Sequence, residues 1–437
     1  MTARSDPPPA APPTHGRWLI VAALALITLI NYFDRAAIAF AVPDLRREFG
    51  FDAATMGWIL GAFGLGYLVS NPICGHLMDR FGVRRVLTVT ILLWAVFMGM
   101  MAATSTLLGM LVARFCLGLG EGGSFPAMSG VMRGWLAPRE RAVGLGLTVA
   151  AVPLSSAIGA PLITALIEGY GWRAAFWMLA GATLVWAAIW WFLYRDDPAR
   201  SRLVNAAELA HIRPDGVPVP AGAGGGDTGA GAWRVVLTNR TAVTNYASAF
   251  VAGFNLFFFI GWLPDTLKTV YGLTLPQIGT FAACAWGLAT ILCVAGGYLS
   301  DRIAAAGRRL RVARSLTIAV WLLLAGLVLL PVGFGPPSAV AFVLIAAGMA
   351  FTMAAIPPQI ASNLDVVPAF AALAHGVYAA AIALAGFLAP VVAGYLAKAT
   401  GSLAATFVLM GALGILGAAI VVLFHHPDRD RAPAPTP

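Results

Sequence analysis

Trp18-Leu-Ile-Val-Ala-Ala-Leu-Ala-Leu-Ile-Thr-Leu-Ile-Asn31-Tyr32-Phe33-Asp34-Arg35-Ala-Ala-Ile-Ala-Phe-Ala-Val-Pro43 is a long apolar run with an aspartate and an arginine side by side near its centre. Its length suits a membrane helix, which needs about 20 apolar residues. A charge at bilayer depth costs roughly 2.5–3.5 kcal/mol on insertion scales. Two adjacent charges are tolerable there only if they face a polar cavity and are paired. The plainer alternatives are that the run does not span a membrane, or that the pair is a structural salt bridge. A second acid and a second arginine inside another apolar run, Glu121 and Arg114, favour the cavity.

Working outward, the chain has 437 residues, 59% hydrophobic and 11% charged. Soluble domains carry about 25% charged residues. A polytopic membrane protein is therefore expected, and the apolar runs are continuous rather than alternating, which selects helices over a barrel. The net charge of +9 is no nucleic-acid signal, because the basic residues crowd into a few short loops. Cys74, Cys116, Cys284 and Cys293 have no metal-ligand spacing and read as small packing residues.

Twelve spans are expected. Six run from about residue 17 to 42, 55 to 77, 84 to 103, 106 to 132, 139 to 167 and 172 to 194. Six more run from 241 to 267, 275 to 300, 313 to 330, 338 to 361, 369 to 397 and 404 to 424. The reading is an all-α membrane protein of twelve transmembrane helices in two six-helix pseudo-repeat bundles. Residues 1–16 form a disordered cytoplasmic N-terminus, 17–195 the first bundle, 196–240 a cytoplasmic linker, 241–425 the second bundle and 426–437 a cytoplasmic tail. The glycine-rich Ala221-Gly-Ala-Gly-Gly-Gly226 makes the linker flexible. The first span lacks signal-peptide features and is expected to stay as an anchor.

With the N-terminus inside, inner segments hold 21 of the 28 Lys and Arg, outer segments five, and Arg35 and Arg114 are intramembrane. That asymmetry puts both termini and the linker in the cytoplasm.

Arg114 and Glu121 are two helical turns apart, about 10 Å along one face. Counting from the span ends, Asp34, Arg35 and Arg114 lie at similar depth and Glu121 further in. This is a four-charge cluster, neutral with both acids ionised and doubly positive with both protonated. Arginine stays charged and grips carboxylates through paired hydrogen bonds. A carboxylic acid in a dry cavity holds its proton more readily. Arg35 and Arg114 are thus candidate anion ligands, and Asp34 and Glu121 candidate proton carriers. The alternative is static Asp34–Arg114 and Glu121–Arg35 bridges. Tyr32 and Tyr67 stand within reach as hydroxyl ligands, or are packing residues.

Gly75-His-Leu-Met-Asp79-Arg80-Phe-Gly82-Val-Arg84-Arg85 follows the second span, and Gly297-Tyr-Leu-Ser-Asp301-Arg302 echoes it after the eighth. The first resembles the signature loop of the major facilitator superfamily. That resemblance implies gate roles for Gly75, Asp79, Arg80, Gly82, Arg84, Asp301 and Arg302, with Arg133 as a partner of Asp79. Asn31-Tyr32-Phe33-Asp34-Arg35, Gly118-Leu-Gly120-Glu121-Gly-Gly-Ser-Phe-Pro126, Gly171-Trp172-Arg173-Ala-Ala-Phe176 and Trp262-Leu263-Pro264 further resemble the anion:cation symporters of that superfamily. The resemblance implies proton-driven import of an organic anion by alternating access, with Arg35 and Arg114 on the carboxylate and Asp34 and Glu121 carrying protons.

The second half departs from that pattern. Ala379 stands where members often carry an asparagine, and Val152-Pro153-Leu154-Ser155-Ser156 lacks an amide. Asn255, Trp286, Gln359, Asn363, His375 and Tyr378 remain to line the site. His375 is otherwise a structural histidine near a helix end. This thin polarity leaves aromatic or short aliphatic carboxylates beside sugar acids as substrates. The expected partners are a small organic anion, protons and the lipid bilayer of a bacterial inner membrane. The expected state is a monomer with no nucleic acid, cofactor or metal. Anion exchange, efflux and a transport-free anion sensor are the rivals. An enzyme is not expected, since no nucleophile–base pair or phosphate loop is present.

Overall fold

The computed structural model describes residues 12–137, 140–213, 230–367 and 371–430. Its helices are α1 (Gly16–Phe49), α2 (Ala53–Phe81), α3 (Val83–Ala103), α4 (Leu107–Glu121), α5 (Ser124–Trp135), α6 (Arg141–Leu193), α7 (Ala206–Ile212) and α8 (Ala230–Thr238). They continue as α9 (Arg240–Thr269), α10 (Leu275–Ala305), α11 (Thr317–Leu329), α12 (Ser338–Val366), α13 (Ala371–Thr400), α14 (Ala404–Phe424) and α15 (Pro427–Asp430). Among the described residues, ten helices are long and apolar enough to cross a membrane.

Two local features turn ten into twelve. Helix α6 has 53 residues, about 80 Å if straight, against a hydrocarbon core of about 30 Å. It turns sharply at Gly171, where φ is +80° and ψ 161°, a backbone that only glycine adopts easily. Its two ends return to the same face of the bundle. Glu140, beside its start, binds Arg17 (3.0 Å), and Arg84 donates to the Trp191 carbonyl near its end (2.7 Å). These are spans five and six. Span four was expected as one helix over 106–132. It is instead α4 and α5, parted at Gly122-Gly123. Two glycines weaken the helix there, and Pro126 has no N–H for the Gly122 carbonyl.

The twelve spans form two six-helix bundles, with α2 lying along α13, α10 along α6 and α1 against α9. The linker end of the molecule is more built than a flexible tether. Glu208 of α7 is buried and accepts from the backbone N–H groups of Gly16 (3.1 Å) and Arg17 (3.0 Å), capping α1. It also pairs with the Arg17 guanidinium (2.9 Å), which pairs in turn with Glu140. Burial alone would raise the Glu208 carboxyl, but donors from Thr14, Arg17 and Gly16 outweigh it and hold it below the usual range. In the second bundle, Asp428 of α15 accepts from the N–H groups of Leu310 and Arg311, at the π-helical turn that leads into α11. Residues 1–11, 214–229 and 431–437, which include the glycine-rich stretch and most of the two termini, lie outside the described residues.

Polar bridges between the bundles, among the described residues, gather at the far end. Arg46 at the end of α1 pairs with Asp265 of α9 (3.2 Å). Asp52, which caps α2, pairs with Lys398 of α13 (2.8 Å), and Trp58 donates to the Tyr395 hydroxyl (3.2 Å). Hydrogen bonds from Lys398 and Thr55 hold the Asp52 carboxyl well below the usual carboxylate range.

Candidate functional site

The site begins with a close crossing of α2 and α4. A Cβ on Gly66 would lie 2.0 Å from the Phe115 carbonyl oxygen, and one on Gly118 would lie 2.2 Å from that of Phe63. Bare glycine lets the two backbones touch, as in membrane bundles generally. The crossing sets Phe63 and Tyr67 of α2 beside Arg114 and Glu121 of α4, and α1 closes the group with Arg35.

Arg35 and Glu121 form a buried ion pair. The Arg35 Nη2 and Nε atoms donate to Glu121 Oε2 at 2.9 and 3.3 Å, and Nη2 also reaches Asn31 Oδ1 at 3.1 Å. The Arg35 guanidinium carbon lies 4.5, 4.6 and 4.8 Å from the ring centres of Tyr32, Phe63 and Tyr67. Such aromatic faces attract a cation, more strongly where water is excluded. Arg114 is 3% exposed and lies 5.0 Å from the same Phe63 ring. Its Nε and Nη1 atoms have no hydrogen-bond partner. A buried guanidinium with free N–H groups has donors that an anion can fill, since leaving such donors unmade is costly.

Asp34 does not join this group as expected. One residue along α1 is a 100° rotation, and it carries Asp34 to another face. There Asp34 Oδ2 accepts from Trp94 Nε1 of α3 (2.7 Å) and from Thr183 Oγ1 of the sixth span (3.0 Å). Its Oδ1 has no hydrogen-bond partner. The Asp34–Arg114 bridge considered from the sequence is absent, whereas the Arg35–Glu121 bridge is present. By hydrogen bonding, the four charges are thus a pair, an arginine with open donors and an acid held by Trp94 and Thr183.

The second bundle contributes less to the middle of the molecule than expected. Asn255 is fully buried and donates to Thr352 (3.3 Å), while its Oδ1 is unpartnered. Gln359, Asn363 and Tyr378 gather nearer the linker end. Asn245 donates to the Asn363 side chain (2.9 Å) and to the Gln359 carbonyl (2.8 Å). Gln359 donates to Ser248 (3.0 Å) and accepts from the Tyr378 hydroxyl (3.1 Å). These three bind one another and their neighbours on α9, and among their side-chain amides only the Asn363 Nδ2 is left without a partner. His375 stacks on Tyr378, with ring centres 5.7 Å apart.

At the Gly75–Arg85 loop, Gly82 ends α2 with φ +85°. Arg84 stacks 4.0 Å from Trp191, donates to its carbonyl, and donates its backbone N–H to Asp196 Oδ1 (3.0 Å). Arg80 is exposed, and the Asp79 side chain lies outside the described residues. In the echo, Asp301 pairs with Arg314 (2.7 Å), which also pairs with Asp365 (2.7 Å), and Arg302 donates to Tyr298 (3.0 Å). The glycines match as well. A Cβ on Gly75 would sit 3.8 Å from Pro126, and one on Gly297 would sit 3.0 Å from Pro357.

Trp94, Thr183, Asn31 and Phe63 were not singled out from the sequence. A tryptophan N–H in an apolar span needs an acceptor, which is a signal in itself. Its acceptor lies 60 residues away, so nothing local names it.

The comparisons agree with this architecture. The Major Facilitator Superfamily matches residues 24–366. A protein of Cupriavidus necator named a probable sulfoacetate transporter is 31% identical over 94% of each chain. The hexuronate transporter of Bacillus subtilis is 26% identical, covering 93% of this chain and 94% of its own. A probable galactarate/D-glucarate transporter of Bacillus subtilis is 28% identical over 93% of this chain and 91% of its own. The crystal structure of a bacterial homologue of the human lysosomal transporter Spinster, inward-facing and unoccupied, superposes with a TM-score of 0.77 at 17% identity, over 97% of this chain and 99% of that one. These three relatives are named as organic-anion transporters, not enzymes, and this chain is a multi-pass membrane protein that belongs to the Major Facilitator Superfamily.

Proposed function

We propose that the protein imports an organic anion together with protons across a bacterial inner membrane, with both termini and the linker in the cytoplasm. The observation that carries this is the unpartnered, buried Arg114 beside the Arg35–Glu121 ion pair. Arg114 offers free donors to a carboxylate or sulfonate. Arg35 is neutralised by Glu121 and becomes an anion ligand only when Glu121 takes a proton. Removing one partner from a buried ion pair costs about 3–5 kcal/mol, so a protonated Glu121 without an anion is unfavourable. Proton and anion therefore load together. Asp34 has a place for a second proton at its unpartnered Oδ1.

Orientation follows from the 21 basic residues on the linker side. The far-end bridges then close the outer face, as expected of a carrier ready to release inward. Arg80, Arg84, Asp301 and Arg302 act as gate residues of the inner face under this reading.

The test uses purified protein in liposomes with an imposed inward proton gradient. Sulfoacetate, a hexuronate, glucarate and short aliphatic acids are added in turn, and internal pH is recorded. Acidification that depends on one anion supports symport. Anion exchange with no proton movement would overturn the coupling and leave Asp34 and Glu121 as structural partners.

A further inference from the structure

We infer that Asn31 is a further ligand of the transported anion. Its side-chain oxygen holds Arg35 in place, and its side-chain NH2 donates to the anionic head that replaces Glu121. This rests on reading the Arg35–Arg114 site as an anion carrier and deepens it by one substrate-binding residue.

Asn31 stands one helical turn before Arg35 on α1, so the two side chains share a face. It is 1% exposed. Its Oδ1 accepts from Arg35 Nη2 at 3.1 Å, and the same Nη2 donates to Glu121 Oε2 at 2.9 Å. Asn31 and Glu121 therefore meet Arg35 at one nitrogen. The rings of Tyr32, Phe63 and Tyr67 crowd the guanidinium carbon at 4.5, 4.6 and 4.8 Å. With rings against it, the guanidinium meets an anion through its hydrogen-bonding edge, and the edge that Glu121 vacates on taking a proton is the one beside Asn31.

The same contact orients the amide. A guanidinium has donors only, so the oxygen of Asn31 must be the atom turned towards it. Nδ2 is then left over, and it is buried without a hydrogen-bond partner. The amide stands beside the Glu121 carboxyl but makes no well-formed hydrogen bond to it, and Glu121 Oε1 is open as well. A residue that only held Arg35 would need an acceptor alone, whereas a buried NH2 left unmade is costly. A carboxylate or sulfonate has oxygens to spare. One replaces Glu121 Oε2 on Arg35, and a second takes the hydrogen bond that Asn31 Nδ2 has to give.

The experiment measures equilibrium binding of sulfoacetate, glucuronate, glucarate and succinate to the purified full-length protein at pH 7 with no gradient. Liposome uptake of the tightest binder follows. Asn31→Leu is close in size and has no amide. It is expected to weaken binding about tenfold or more and to raise the KM by a like factor, with the maximal rate little changed. Asn31→Asp keeps an oxygen for Arg35 but has no NH2, and it is expected to bind no better than Asn31→Leu. A lower melting temperature with unchanged affinity in Asn31→Leu makes Asn31 a packing residue and overturns the inference. Affinity restored in Asn31→Asp overturns the donor role, because holding Arg35 then suffices. Arg114→Ala is measured in parallel. If it abolishes binding while Asn31→Leu leaves binding intact, the anion carrier stands and this inference alone falls. Binding untouched by Arg114→Ala, or absent from the wild-type protein for all four anions, removes the carrier site itself.

Discussion

Both bundles bury polar groups, but of different kinds and at different depths. In the first, Arg35, Glu121 and Arg114 are charged, sit deep within their spans and leave Arg114 donors free. In the second, Asn245, Ser248, Gln359 and Tyr378 are neutral, sit near the linker end and largely satisfy one another. Yet the frames match, down to the Gly75–Pro126 and Gly297–Pro357 contacts. Duplicated scaffolds can thus keep their packing while the chemistry is concentrated on one side. A charge that must change partners during a cycle needs a neighbour it can lose. A satisfied neutral network instead rigidifies the helices that carry it.

Arg114→Ala breaks this comparison most directly. It is expected to weaken anion binding more than roughly 30-fold and to abolish transport, since it removes a buried charged ligand. Binding and liposome uptake measure it, and unchanged uptake would remove the distinction between the bundles. Glu121→Gln keeps the shape but not the titration. Anion exchange should persist while uphill, proton-driven uptake is lost. If uphill uptake survives, the coupling proton belongs to Asp34 or His375.

Tyr378→Phe sharpens the other side. It removes one hydrogen bond, to Gln359, worth about 1 kcal/mol. The melting temperature should fall slightly with the KM nearly unchanged. A large rise in KM would make the second bundle a ligand wall after all.

The smallest effects concern the two ends. Because Glu208 is held below the usual carboxylate range, its capping of α1 is fully present above that range. It is lost only as pH falls through the lowered value. Protease access to α7 should therefore stay constant from pH 8 to 5 and rise on stronger acidification. The Asp52–Lys398 bridge obeys the same sign, since the folded-state value is depressed. Labelling of a cysteine introduced at the far face should not change across neutral pH, and Lys398→Ala should shift it only modestly. A far-face opening centred near pH 6 would contradict this assignment.

Much of the fold was legible. Continuous apolar runs counted the spans, and the two Gly-x-x-x-Asp-Arg loops disclosed the duplication. Span four was misread as unbroken because apolar content dominates a hydropathy reading, whereas Gly122, Gly123 and Pro126 decide helix continuity locally. The docked α7 went unseen because its anchor, Glu208 on the N-terminus of α1, joins residues more than 190 positions apart.

Composition and the placement of charges along the chain determined a twelve-span membrane protein with two acids and two arginines at depth. Those properties follow from transfer energies and helix length, which are local to each segment. Only the tertiary structure decided how the charges are shared. Arg35 took Glu121, Arg114 was left with free donors, and Asp34 turned to Trp94 and Thr183. The reason is geometric. Neighbours on a helix point 100° apart, and which helix each then meets depends on the Gly66–Gly118 crossing of α2 and α4, a contact between distant segments.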